Sequence, residues 1–225
     1  MQVPWIIPQP RPTADCVALP EHAPPMVVKI GGSLAGSPDL KSWLAALDKC
    51  AQPLVVVPGG GAFSDTVRSM QAAIGFDDET AHRMALVSMQ QYGTALAALW
   101  PRLVVATTPA ALRRALRMGQ VPCWHPAGMA IAAALPKSWD LTSDSLAAWL
   151  AGKLKAEKLL LIKSVDCPAA GTAADLAVAG IVDSLFPHYA AESGATVAMA
   201  GPASLAGSEA LLAQGALPGH KICFR

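Results

Sequence analysis

Four short stretches of this chain hold residues suited to gripping an anion. In "MVVKIGGSL" a lysine, Lys29, sits inside an apolar β-branched run and is followed at once by Gly31, Gly32 and Ser33. "PLVVVPGGG" repeats the device with Gly59, Gly60 and Gly61, and "AFSDTVR" then places Asp65 and Arg68 three residues apart. "LTSDSLAAW" sets Asp144 beside Thr142 and Ser143, and "LLLIKSVD" closes a second apolar run with Lys163, Ser164, Val165 and Asp166. Glycines let bare amides approach an anion, a hydroxyl adds a donor, and a strand-end lysine adds a point charge. That combination suits a phosphate. Each stretch alone also has a plainer reading: a tight turn with its lysine in water, a surface Asp–Arg pair, a helix cap. A second strand-end lysine, mirroring the first, is harder to explain that way. Two familiar phosphate devices are excluded, since the chain has neither G-x-G-x-x-G nor a glycine loop followed by Lys and Ser or Thr.

The surrounding pattern supplies elements to carry these residues. Short β-branched runs at 27–30, 54–57 and 103–107 alternate with helical spacing over 38–50, 62–73, 78–100 and 109–118. "VPCW" reads as a strand, 128–135 as a short helix, and Thr142 or Ser143 as the cap of a helix whose apolar face carries Leu146, Trp149 and Leu150. Residues 158–162 form a fully buried strand. "DSLFPHYAAES" and "SLAGSEALLAQG" read as helices, "TVAMAG" and the terminal "HKICF" as strands. The alanine- and glycine-rich segment 167–180 reads as the loosest interior loop, a lobe junction or a mobile cover. Alternation of strands and helices implies a largely parallel sheet covered on both faces, and ligands of such sheets gather beyond the strand carboxyl ends, where both glycine turns lie.

Composition narrows the partners. Seventeen Lys and Arg against sixteen Asp and Glu leave no basic field for nucleic acid. With 53% hydrophobic and 15% charged residues and a mean hydropathy of +0.38, the chain has apolar content enough for a subunit interface as well as a core; a membrane-associated surface would give the same composition, and a homo-oligomer is the expected form. The uncharged stretch 118–136 is broken by Pro122, His125 and Pro126 and reads as buried strand and helix rather than a membrane span. Five scattered cysteines without zinc or CxxC spacing imply a reducing, cytoplasmic compartment. Residues 1–25, rich in proline, read as an irregular arm ahead of a single domain over 26–225.

With these four stretches in this order, the sequence resembles the amino acid kinase family over residues 26–225. The resemblance implies an α/β fold, a three-layer αβα sandwich with a mainly parallel central sheet. Its N-terminal half would bind the phosphate acceptor and its C-terminal half ATP with Mg2+. It implies that Lys29, Asp144 and Lys163 are catalytic, with Asp144 orienting the lysines. Gly31, Gly32, Ser33, Ser164, Val165 and Asp166, together with Lys29 and Lys163, would contact the nucleotide. Gly59, Gly60, Gly61, Asp65, Arg68, His82, Thr142 and Ser143 would face the acceptor. The family often carries a second lysine in a G-G-M-x-x-K segment, whereas "AVAGIVDSLFPHYA" has none, so Lys163 is expected to supply that charge.

Within the family the chain is most similar to the short kinases of methanofuran and methylofuran biosynthesis, which convert an (aminomethyl)furanylmethyl phosphate to its diphosphate. That similarity gives Asp65 the ammonium of the acceptor, Arg68 its phosphate, and His82 a place in the pocket lining, beside the plain alternative of a helix-face histidine. Isopentenyl phosphate and nucleoside monophosphates are the other acceptors to weigh. The fold also serves for nucleotide-dependent oxyanion storage, a non-catalytic alternative, and a catalytically dead interaction module remains a further one.

Overall fold

The computed structural model describes residues 24–168 and 171–224; nearly all of the proline-rich arm therefore lies outside the described residues. The first run of the sequence becomes β1 (Met26–Ile30), every residue of which is buried, Lys29 included. It sits at the middle of a seven-stranded sheet formed with β2 (Leu54–Pro58), β3 (Leu103–Ala106), β4 (Val121–Trp124), β5 (Lys158–Ile162), β6 (Thr196–Ala200) and β7 (His220–Lys221). The order is β3-β4-β2-β1-β5-β6-β7. All pairings are parallel except β6 with β7.

Strand alternation decides which way the chemistry points. Met26, Val28 and Ile30 join one buried cluster, with Trp43, Leu44 and Leu47 of α1 (Asp39–Asp48) and Tyr92 and Leu96 of α3 (Asp78–Leu99). Val27 faces the other cluster, with Leu146, Ala147 and Leu150 of α6 (Ser143–Leu154) and Phe186 of α8 (Phe186–Ser193). Side chains two apart on a strand share a face. Lys29 therefore projects toward α6. On β5 the same parity runs through Leu159 and Leu161 to Lys163. Because β1 and β5 pair in register, Lys29 opposite Leu161, both strand-end lysines emerge on the face whose covering helix begins with Ser143 and Asp144. Helices on both faces complete the three layers expected of the sequence.

Several local expectations need correction. The helix foreseen at 128–135 is α5 (Ala127–Ala132), cut short before Ala134, which takes a positive φ of 51°. Segment 167–180 is not all loop: Thr172 and Asp175 close a capping box that starts α7 (Ala173–Val178). Of "SLAGSEALLAQG" only α9 (Ser208–Ala213) is α-helical, because Gly207 turns to φ 81° just before it. The start of "DSLFPHYAAES" stays outside α8 because Asp183 is drawn to another helix. The remaining helices, α2 (Gly61–Ile74) and α4 (Pro109–Arg117), fall where periodicity put them.

The two glycine turns meet at the carboxyl ends of β1 and β2. Gly31 donates its N–H to Ile162 O at 2.8 Å, and Gly59 donates its own to Ile30 O at 2.8 Å. A Cβ on residue 32 would overlap the Gly61 nitrogen, and one on residue 59 would overlap Gly32. Only main chain without side chains can pass there. Gly59→Ala is expected to lower unfolding stability by about 2 kcal/mol or more, since the colliding atoms are backbone and cannot swing away; chemical denaturation checks it.

Candidate active site

Asp144 is the hub of the site. Its Oδ1 lies 2.9 Å from Lys29 Nζ and its Oδ2 accepts a hydrogen bond from Lys163 Nζ at 2.6 Å. The Lys29 approach is an ion pair off the hydrogen-bonding direction, while Lys163 is further held by Ile181 O at 2.7 Å. Asp144 and Lys29 are each 4% exposed, so no bulk water screens the pair. Burial alone would raise the Asp144 carboxyl, but the attraction of Lys163 and then of Lys29 outweighs it and brings the group to about 2. For Lys29 burial wins: it pushes the ammonium down to about 8 against the pull of Asp144, and Lys163 lowers it further. Two ammonium groups share one carboxylate, leaving an excess positive charge that an incoming anion would neutralise.

Beside this cluster lies a cavity of about 250 Å³. It is lined by Lys29, Gly32, Ser33, Gly60 and Gly61 at the glycine turns, by Asp65 and Arg68 further along α2, by His82 of α3, and by Thr142, Ser143 and Asp144. The glycine wall offers amides because α2 begins at Gly61 and the 3-10 turn Gly32–Gly36 begins at Gly32. The first bond of that turn is Leu34 N to Gly31 O, so the N–H groups of Gly32 and Ser33 precede any intrahelical partner. Gly31 and Gly59, by contrast, have committed their N–H groups to neighbouring backbone and serve here by allowing close approach. Leu86, Met89, Leu141 and Leu146 make the remainder apolar.

Arg68 and Asp65 do not pair with each other. The Arg68 guanidinium instead stacks over the Trp139 ring, 3.8 Å from its centroid. Trp139 is fixed in turn: its indole N–H donates to Gln71 Oε1 at 2.7 Å, and Gln71 Nε2 donates to Asp78 Oδ1 at 2.8 Å. Asp65 has no ion-pair partner among the described residues. His82 is buried in the lining, and its imidazole is lowered chiefly by burial and next by Lys137, against Glu79, which keeps it neutral at pH 7.

Of the expected nucleotide-side residues Lys29, Gly32 and Ser33 line this cavity, whereas Gly31, Lys163, Ser164, Val165 and Asp166 are not among its lining. Ser164 Oγ is 2.7 Å from Ser33 Oγ, joining the ends of β5 and β1. Asp166 Oδ1 accepts from Ala203 N at 2.9 Å, and Val165 is exposed. Among the described residues no group of three or more His, Cys, Asp or Glu side chains gathers to hold a metal ion, and no helix is long and apolar enough to cross a membrane.

Two residues of consequence escaped the sequence reading. Trp139 stands in "KSWDLTSDS", and the lone aromatic in a polar loop was the signal available for it. Asp183 takes over the cap expected of Thr142 or Ser143. Its Oδ2 accepts from Ser145 N at 3.0 Å and from Thr142 N at 3.0 Å, so Thr142 stands at the N-cap position without capping by its own side chain. No local spacing links positions 183 and 142.

A parallel-sheet sandwich with two glycine turns and a Lys–Asp–Lys cluster at its strand ends is a frame suited to holding a phosphate. The chain belongs to the amino acid kinase family, whose model matches residues 24–167. It is 28% identical over 145 residues to the [5-(aminomethyl)furan-3-yl]methyl phosphate kinase of Methanocaldococcus jannaschii, covering 62% of this chain and 66% of that protein, just under two thirds of its length. Its fold is similar to uridylate kinase from Archaeoglobus fulgidus, with a TM-score of 0.66 at 15% identity, covering 88% of this chain and 100% of that one. It is also similar to an isopentenyl phosphate kinase, with a TM-score of 0.60 at 16% identity, covering 88% and 99%.

Two outcomes follow from the cluster. Asp144→Asn removes the counter-charge of two lysines and is expected to cost about 3–5 kcal/mol at neutral pH, less as pH rises, because without Asp144 the buried Lys29 ammonium falls below its value of about 8 and sheds its proton; urea titrations at two pH values check this. An anion needs Lys29 charged, a state fully present below pH 8 and lost as pH rises through it toward the unfolded value of 10.5. Calorimetry with ATP is expected to show affinity falling as pH rises through about 8, with proton uptake on binding at the upper end.

Proposed function

We propose that this protein transfers the γ-phosphoryl group of ATP to the phosphate of a small cationic acceptor, giving a diphosphate, and that the acceptor is an (aminomethyl)furanylmethyl phosphate. The observation that carries this reading is the mixed charge of one small cavity: Lys29, Arg68 and the Gly32 and Gly61 turns line it together with Asp65, which has no ion-pair partner among the described residues. A phosphate is favoured beside the cations and the bare amides, and an ammonium beside Asp65. The relative from Methanocaldococcus jannaschii, named for that acceptor, supports the same assignment.

The chemistry asks little covalent work of the chain. A phosphate acceptor is already ionised at neutral pH, so no strong general base is needed, and the transferring group chiefly requires alignment and cations around its equatorial oxygens. Lys29 supplies one cation and Lys163, in place of the family's second lysine, the other. Asp144 orients both. Gly32, Ser33, Gly60 and Gly61 present amides and a hydroxyl. Arg68 leaves the face of Trp139 to clamp the acceptor's phosphate, Asp65 reads its ammonium, and His82, Thr142 and Ser143 line its seat. In this reading the N-terminal half seats the acceptor, and Ser164, Val165 and Asp166 lie along the nucleotide. With no carboxylate cluster among the described residues to hold it, Mg2+ would arrive on the ATP phosphates, where it neutralises their charge. A cytoplasmic homo-oligomer is part of the same proposal, supported by the apolar composition and free cysteines.

The volume argues against larger acceptors. About 250 Å³ is below the range of pockets for drug-sized ligands, which disfavours a whole nucleoside monophosphate. Isopentenyl phosphate is the second reading, favoured by Leu86, Met89, Leu141 and Leu146 in the wall. ADP release measured over the three acceptors separates them. The aminomethyl acceptor is expected to give the highest kcat/KM. Lys29→Ala should reduce turnover by about 10³-fold, and Asp65→Asn should raise the KM of the aminomethyl acceptor by about tenfold or more while sparing that of isopentenyl phosphate. Preference for isopentenyl phosphate, or an unchanged KM in Asp65→Asn, would sink the assignment.

A further inference from the structure

The turn that carries Asp144 is held from outside its own helix. Asp183 Oδ2 accepts three hydrogen bonds, from Thr142 N at 3.0 Å, Thr142 Oγ1 at 2.7 Å and Ser145 N at 3.0 Å. Its Oδ1 accepts a fourth from Ser145 Oγ. These donors bracket Asp144 in sequence, two residues before and one after. Two residues upstream of Asp183, Ile181 O accepts from Lys163 Nζ at 2.7 Å. One short segment therefore fixes both the carboxylate hub and one of its two cations. The segment is itself anchored: Ile181 N and Val182 N donate to Leu176 O of α7, Val182 is buried, and Leu185 N donates to Asp140 O.

Resting on the phosphoryl-transfer reading of the cluster, we propose that Asp183 is a positioning residue: it accepts hydrogen bonds on both sides of Asp144 and so sets where that carboxylate meets Lys29 and Lys163. Asp183 is not among the residues lining the cavity, so it acts through Asp144. Burial raises its carboxyl, and the nearby Asp144 charge raises it further; four donors offset the cost of keeping it there. What the arrangement uses is acceptor geometry rather than proton exchange. An asparagine can reproduce it: its carbonyl oxygen can take the three bonds of Oδ2, while its amide donates to Ser145 Oγ, a hydroxyl able to reverse its bond.

That substitution makes the test. Asp183→Ala is expected to lower kcat by about 100-fold, as misplacing a catalytic group does, with the acceptor KM changed much less, because Thr142 loses its two bonds to Asp183 while Asp65 and Arg68 keep their surroundings. Asp183→Asn should stay within about tenfold of the unaltered protein. Asn as impaired as Ala would overturn the proposal, as would Ala with undiminished kcat. Should the Ala variant not fold, Ser145→Ala removes one bond alone, and an unchanged kcat there is likewise contrary. A second readout needs no turnover: in Asp183→Ala the NMR titration of Lys29 should move downward by about one pH unit as Asp144 draws away, and in Asp183→Asn it should stay near its original midpoint. If the unaltered protein releases no ADP with any acceptor, the kinase reading fails while this titration still decides the role of Asp183. An unmoved midpoint in Asp183→Ala overturns it.

Discussion

Asp144 has two oxygens, and a different lysine faces each. That shared carboxylate is what the rest of the structure serves. Two ammonium groups would not stand close together in a dry interior without a counter-charge, and one counter-charge is too few to neutralise both. The protein thus keeps a small positive surplus away from solvent. A site built in this way is unfavourable when empty and is relieved by an anion, a sound physical basis for attracting phosphate without a basic surface.

The sheet makes the cluster possible through parity alone. Lys29 follows Val27 by two residues and Lys163 follows Leu161 by two, so each inherits the facing of its apolar neighbour. In-register pairing of β1 with β5 brings the two strand ends side by side. This part of the fold and site was legible because it is governed by period-two alternation and by glycines at strand ends, both local properties of the chain. The apolar runs that became β1, β2 and β5 and the long helices α2 and α3 were readable for the same reason.

What could not be read depends on contacts between distant positions. Asp183 caps a helix some forty residues before it, and the Thr142 hydroxyl, which reads as a cap, instead donates to Asp183, as does that of Ser145. Arg68 looked like the partner of Asp65 by helical spacing, yet a loop between α5 and α6 delivers Trp139 to its face. The aromatic ring wins because it comes from a separate segment pinned by Gln71. α7 was hidden in alanine and glycine, where hydrophobic periodicity is faint and only its Thr–Asp capping pair marks it.

The crossing of the two glycine turns has a consequence for motion. Where Gly32 and Gly59 touch main chain to main chain, neither loop can be displaced without dragging the other, so the walls on either side of the reacting groups behave as one rigid seam. Any opening and closing of the cavity must then fall to the stretch bearing Trp139, which is fastened by side chains and by the bond from Leu185 N to Asp140 O. Motion of the cavity is thereby confined to one side, and the spacing between its two glycine turns is set before any ligand arrives.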